Sequence, residues 1–308
     1  MRFSWSLVIF IARCDASWPQ LPDTALCDGT LGLFQRKLGR QERRAVQTEK
    51  PWEKRVYLVG TCHKVGSQLL RNVMEWTFDA LGAKESCQYG GMGVPITFYT
   101  PEHTDCAEHP SSIRFDNHID GDTISELRNL ETHNTGGFRG VMMIRDPVDM
   151  VISAYSYHHR GAEPDSIYAQ GMVELTPAEG VPAMASRMLD TVEVMVQAAK
   201  NAEPDVMLVS FERMTKSSAS FNQTVQDMVE FLFTDEISKL DQQKILNRAV
   251  QEDLHRGYNG LSSIRFDDHW VNHTNDAEDM ELAKRAWHVV PATLSAEYQR
   301  LRKELGYA

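Results

Sequence analysis

Two short stretches carry the side chains best suited to do chemistry. The first, Gly60-Thr61-Cys62-His63-Lys64-Val65-Gly66-Ser67-Gln68, follows an apolar run and opens a helical pattern. The second, Arg145-Asp146-Pro147-Val148-Asp149, also follows an apolar run, Val141 to Ile144, and is followed by Ser153. A strand that passes through a glycine-containing loop into a helix points several backbone N–H groups and the positive end of the helix dipole at one spot, which suits phosphate or sulfate. An arginine at a strand end and a hydroxyl about two turns into the next helix suit a phosphomonoester, because the guanidinium fork binds its oxygens in pairs. The chemistry on offer is anion binding by a local island of positive charge.

The order of residues in the first loop narrows the anion. A nucleoside triphosphatase loop reads GxxxxGK[ST], with lysine after the second glycine and a hydroxyl for magnesium next. Here Lys64 comes before Gly66 and Ser67 follows Gly66 directly, so that pattern fails. Taken alone, the segment fits a strand-to-helix turn with an exposed lysine as well as it fits an anion loop. Arg145 and Asp146 alone fit a helix start at which they cap and pair.

The elements that must position these residues read as an α/β alternation. Four β-like runs are predicted, Arg55–Val59, Ser112–His118, Gly140–Ile144 and Val206–Phe211, each followed by a turn or a helical pattern. That alternation implies a parallel sheet flanked by helices. Leu69, Leu70, Val73, Met74, Phe78 and Leu81 recur at helical spacing and predict a helix over Ser67–Leu81. Further helices are predicted over Val148–His158, Pro182–Asn201, Ser220–Phe233, Ile237–Glu252, Asp279–Trp287 and Thr293–Leu305. Pro147 sits where a helix can begin, since its ring fixes φ and its missing N–H is not needed there.

Composition excludes several classes. The chain has 308 residues, 42% of them apolar, enough for a sizeable core, and its net charge of −11 argues against a nucleic-acid partner, which needs a basic face. Five cysteines, Cys14, Cys27, Cys62, Cys87 and Cys106, contain no CxxC pair and no Cys/His spacing of a zinc site, so no metal is expected. Cys87 and Cys106 fit either a disulfide or two free thiols. Residues 1–53 read as a leader or irregular linker, and 54–308 as one domain. Arg2, the apolar run Leu7–Ala12 and the small residues around Cys14–Ala16 are compatible with a secretory signal, which would route the protein to the Golgi lumen; otherwise it is cytoplasmic. No stretch approaches the roughly 20 apolar residues that span a bilayer.

The K-x-G-[ST] order of Lys64 to Ser67 resembles the 5′-phosphosulfate loop of sulfotransferases that use 3′-phosphoadenosine 5′-phosphosulfate (PAPS). The R-D-P-x-D-x-x-x-S order of Arg145, Asp146, Pro147, Asp149 and Ser153 resembles their 3′-phosphate motif, and the two motifs stand in the family order. The resemblance spans most of residues 55–275 and is specific at these two loops. It implies a single three-layer domain of the P-loop NTPase-like sulfotransferase fold, and transfer of a sulfonyl group from PAPS to an acceptor hydroxyl or amine with release of PAP. Lys64 is then the catalytic cation at the sulfonyl group, and Gly66, Ser67 and Gln68 supply N–H groups. Arg145 and Ser153 hold the 3′-phosphate, and Arg265, with Arg256 as alternative, comes from a loop over 262–274. His118 stands where the cytosolic branch has its catalytic histidine; Asp116, Glu85 and Glu102 are the alternative bases. The Ser210–Arg213 segment fits a nucleotide contact or a helix cap.

Two departures mark a divergent version: Val65 replaces a common hydroxyl residue, and Leu69 stands where the cytosolic branch has a tryptophan on adenine. The acceptor, a small molecule or carbohydrate, would meet the variable loops 88–110 and 160–181. A P-loop nucleotide kinase and a non-catalytic nucleotide-binding protein of the same fold are the competing functions.

Overall fold

The computed structural model describes residues 50–83, 113–129, 137–256 and 277–307. Residues 1–49 with Cys14 and Cys27, and also Glu85, Cys87, Glu102, Cys106, the 88–110 loop and the 262–274 segment with Arg265, lie outside the described residues. Across the expected boundary between leader and domain, Pro51–Lys54 forms a single helical turn.

The chain is an α/β protein with a central parallel sheet of four described strands flanked by helices. The strands are β1 (Val56–Gly60), β2 (Ile113–Asp116), β3 (Phe138–Ile144) and β4 (Val206–Ser210). Their order is β2-β1-β3-β4, and every pairing is parallel. β1 and β3 are apolar almost throughout, as parallel strands covered on both faces must be. From β1 the chain crosses to β2 on one side, whereas from β3 it crosses to β4 on the other. The sheet therefore switches direction between β1 and β3, and an open α/β sheet binds ligands at the carboxyl ends of the strands at such a point. Both candidate loops start there, Thr61 following β1 and Arg145 following β3.

The helices pack in two groups. One contains α1 (Ser67–Ala80), α6 (Ser218–Phe233) and α7 (Lys239–Ala249). The other contains α2 (Gly121–Asn129), α3 (Pro147–His159), α4 (Pro177–Lys200), α8 (Ala277–Arg285) and α9 (Ala292–Glu304). A short helix, α5 (Phe211–Thr215), follows β4 directly. Tyr57 of β1 meets Phe78 of α1 and Phe233 of α6 at centroid distances of 5.4 and 5.3 Å, which fixes the first group on the sheet.

Several boundaries differ from the sequence-based expectation for local reasons. α4 starts at Pro177, not Pro182, because Thr176 and Glu179 form a capping box with proline just inside it. β4 ends at Ser210, whose side chain accepts from Arg213 N–H and starts α5, so the Ser210–Arg213 segment is a helix cap. α2 was not expected: its nine residues include only two buried ones, Ile124 and Leu127, too few to establish a period.

α1 carries the first anion loop at its N-terminus and is anchored by a buried carboxylate. Glu252, 3% exposed, accepts from Asn72 Nδ2 at 3.0 Å and Trp76 Nε1 at 2.9 Å. Removing that acceptor leaves two donors in a dry contact. Glu252→Ala is expected to lower unfolding free energy by about 2–4 kcal/mol, and Glu252→Gln by clearly less, in urea denaturation followed by circular dichroism.

Candidate functional site

The loop after β1 is shaped by two left-handed residues. Lys64 has φ 64° and Gly66 φ 104°, and Gly66 is the N-cap of α1. Leu70 N–H closes the first helical turn on the Gly66 carbonyl at 3.1 Å, so the N–H groups of Ser67, Gln68 and Leu69 point out of the helix end. The Ser67 hydroxyl donates to the Cys62 carbonyl at 2.9 Å and braces the loop from within. A Cβ at Gly66 would lie 2.5 Å from Phe211 Cδ2 and 2.8 Å from Met143 Sδ. Val65 is fully buried in the core. An apolar residue at this divergent position therefore packs the loop onto the sheet, work that a hydroxyl side chain would do poorly. Cys62 is a free, buried thiol; burial pushes it up to about 12, which makes it unreactive at neutral pH.

Lys64 lies with Nζ 3.3 Å from the centroid of the Tyr157 ring, a cation–π contact. Burial pushes its ammonium down to about 7; Glu163 opposes this, and Arg145 and Arg160 add to it. A bound anion would reverse the balance in favour of the charged form.

Arg145 links the two motifs. Its Nη1 donates to the Lys64 carbonyl at 3.0 Å, and its guanidinium carbon lies 4.3 Å from the Phe211 centroid. Its Nε is buried with no hydrogen-bond partner among the described residues. Burial disfavours its charge, and Asp149 and Glu212 offset this.

The turn holding Arg145 is fixed from three directions. Asp146 caps α3 by accepting from Val148 N–H at 2.9 Å, and its Oδ2 takes both Nε and Nη2 of Arg302 in α9, at 3.0 and 2.7 Å. Asp146 N–H donates to Glu212 Oε1 at 2.9 Å, while Glu212 Oε2 accepts from the hydroxyls of Ser210 and Tyr307 at 2.8 and 2.7 Å. Glu212 fell within the Ser210–Arg213 segment singled out in the sequence, whereas Arg302 and Tyr307 were not legible as site residues.

The other expected residues are placed less directly. Ser153 is buried in α3. His118 lies beyond β2, not in it, because Asp116 ends the strand and its Oδ1 accepts from His118 N–H at 2.8 Å to close a turn. The His118 side chain is exposed. The turn still belongs to the carboxyl edge of the sheet, since Thr61 N–H donates to Asp116 O at 2.8 Å and Ile119 N–H to Thr61 O at 3.2 Å. Asp116, an alternative base, is held above the usual carboxylate range by burial, although the His118 N–H and the Thr123 hydroxyl oppose this. Arg256 follows the turn after α7 and pairs with Asp253 at 3.3 Å.

A second polar cluster adjoins Lys64. His63 Nε2 and His158 Nε2 are 3.1 Å apart, and His63 stacks on Tyr168 with centroids 4.5 Å apart. His158 is completely buried at the end of α3, and burial lowers its pKa, with the Ala162 carbonyl opposing and Lys64 reinforcing the shift. Among the described residues no helix is long and apolar enough to cross a membrane.

No protein-family model matches the chain, and no curated protein matches it in sequence. Among solved structures it is similar to the crystal structure of mouse sulfotransferase SULT7A1 complexed with PAP, at 14% identity over 82% of this chain and 84% of that one, with a TM-score of 0.43. It is also similar to the sulfotransferase from Alicyclobacillus acidocaldarius, at 14% identity over 69% of this chain and 99% of that one, with a TM-score of 0.31.

The geometry yields two expected outcomes. Gly66→Ala should cost about 1–3 kcal/mol, because it adds a Cβ to a left-handed residue and drives it into Phe211. Arg302→Ala leaves the Asp146 carboxylate without its guanidinium and should cost about 1–3 kcal/mol in denaturant melts, although Arg302 lies in the last helix, far along the chain.

Proposed function

We propose that this chain transfers a sulfonyl group from PAPS to an acceptor hydroxyl or amine and releases PAP. The observation that carries the reading is the 3.0 Å hydrogen bond from Arg145 Nη1 to the Lys64 carbonyl. It joins two anion motifs at the ends of adjacent parallel strands. One motif has a lysine and a helix N-terminus, the other a guanidinium, which matches a ligand with two separate anionic groups.

In the proposed reaction the acceptor oxygen or nitrogen forms a bond to sulfur, the bond from sulfur to the bridging oxygen breaks, and PAP leaves with that oxygen. Lys64 neutralises charge growing on the bridging oxygen, and the N–H groups of Gly66, Ser67 and Gln68 hold the 5′-phosphate oxygens. Arg145, with Ser153 nearby in sequence, takes the 3′-phosphate, so that binding energy from a remote group positions the sulfur. Arg265 is assigned to the same phosphate. His118 accepts the acceptor's proton, a role open to a histidine near neutral pH. No step is assigned to a metal ion. The acceptor, a small molecule or carbohydrate, meets the 160–181 segment, and its exposed Ile167 and Val173 favour one with an apolar face.

Thermal melting tests the nucleotide. PAP should raise the melting temperature and ATP should not; no shift with PAP, or a shift with ATP and magnesium alone, would overturn the reading. In a transfer assay with labelled PAPS and a panel of acceptors, Lys64→Ala should lower turnover by about 10²–10³-fold. His118→Ala should lower it by about 10²–10⁴-fold with PAP binding unchanged. Full activity in His118→Ala removes only the assignment of the base.

A further inference from the structure

His63 sits one residue before Lys64, and nothing in the proposed transfer uses it. Its Nε2 faces His158 Nε2 at 3.1 Å. His158 Nδ1 lies 3.0 Å from the Ala162 carbonyl oxygen, which can only accept, so that nitrogen carries the proton. Neutral His158 therefore presents a lone pair at Nε2, from a side chain with no exposure, toward His63. The residue after Ala162 is Glu163, whose left-handed backbone, φ 49°, brings a carboxylate to the same place. The ligand atoms of His63, His158 and Glu163 all lie within 4.8 Å of one another.

We propose that His63, His158 and Glu163 form a binding site for a divalent transition ion of the zinc class. Two imidazoles and one carboxylate are a donor set that zinc takes with three protein ligands and one open position. Ligands about 2.0–2.1 Å from a tetrahedral ion stand roughly 3.3 Å apart, close to the observed spacing of the two imidazole nitrogens. The carboxylate, on an exposed side chain, already lies within 4.8 Å of both imidazole ligand atoms and closes toward the ion to complete the set. The hydrogen bond from His158 Nδ1 to a backbone carbonyl is the contact by which metal-binding histidines are commonly held in one tautomer and orientation. Tyr157 donates to Glu163 Oε1 at 3.2 Å and orients the carboxylate, and the Tyr168 ring lies parallel to His63, 8° between planes, as a wall. Glu163 also attracts the Lys64 ammonium, so the ion and the lysine compete for one carboxylate.

The site does not rest on the proposed sulfonyl transfer and is tested by binding alone. The full chain, stripped with chelator, is titrated with Co²⁺ while its visible d–d absorption is followed, and Zn²⁺ is then added to displace it. The chain has 11 histidines and five cysteines, so the difference between variants decides. Wild type should bind one more equivalent of Co²⁺ than His63→Ala, with Zn²⁺ displacing it, and Glu163→Gln should weaken that equivalent at least about tenfold. Both substituted residues are partly or largely exposed, and far-UV circular dichroism verifies that each variant is folded. His288→Ala, at an exposed histidine elsewhere, should bind as wild type does. Equal stoichiometry and affinity in wild type, His63→Ala and Glu163→Gln would overturn the site and leave a hydrogen-bonded histidine pair only.

Discussion

The hydrogen bond from Arg145 to the Lys64 carbonyl is the constraint on which the rest of the site depends. Lys64 and Gly66 both occupy left-handed conformations, and Lys64 has no glycine-like freedom to do so at low cost. A loop strained in this way persists only where its surroundings over-determine it. Arg145 supplies a donor from β3, Ser67 supplies one from within, and buried Val65 supplies apolar contact beneath. The same guanidinium sits over Phe211, the residue that excludes any side chain at Gly66. Loop shape and arginine placement are thus two consequences of one packing arrangement.

Charge explains why that arrangement needs so much support. The chain is acidic overall, yet Lys64, Arg145 and Arg160 converge at one edge of the sheet, and burial weakens the charge on the first two. Asp146, Glu212 and Asp149 gather beneath and around the arginine, and Arg302 and Tyr307 hold the first two in place. Buried cations of this kind are partly offset by the neighbouring carboxylates, Glu163 at Lys64 and Asp149 and Glu212 at Arg145.

Helix α3 organises both ends of this region. Its first turn is capped by Asp146 and delivers Arg145, while its last turn delivers Tyr157 to Lys64 and His158 to His63. The helix is buried along most of its length. One helix thus contributes residues to both the anion loop and the histidine cluster.

The strand-loop-helix units at Val56–Ala80 and Phe138–His159 were legible in the sequence, because apolar runs, glycine and proline act through local backbone physics that needs no distant partner. Their lysine and arginine could be singled out for the same reason. The end of β2 was misjudged because the Asp116 side chain closes a turn and stops the strand before His118, a local contest that hydrophobic pattern does not encode. What only the tertiary structure decided is the set of contacts between residues remote in sequence. Arg302 reaches Asp146 across 156 residues, and His63 meets His158 across 95. No periodicity or spacing records such meetings, because they follow from sheet order and helix packing, which place the ends of separate elements together only once the core has formed.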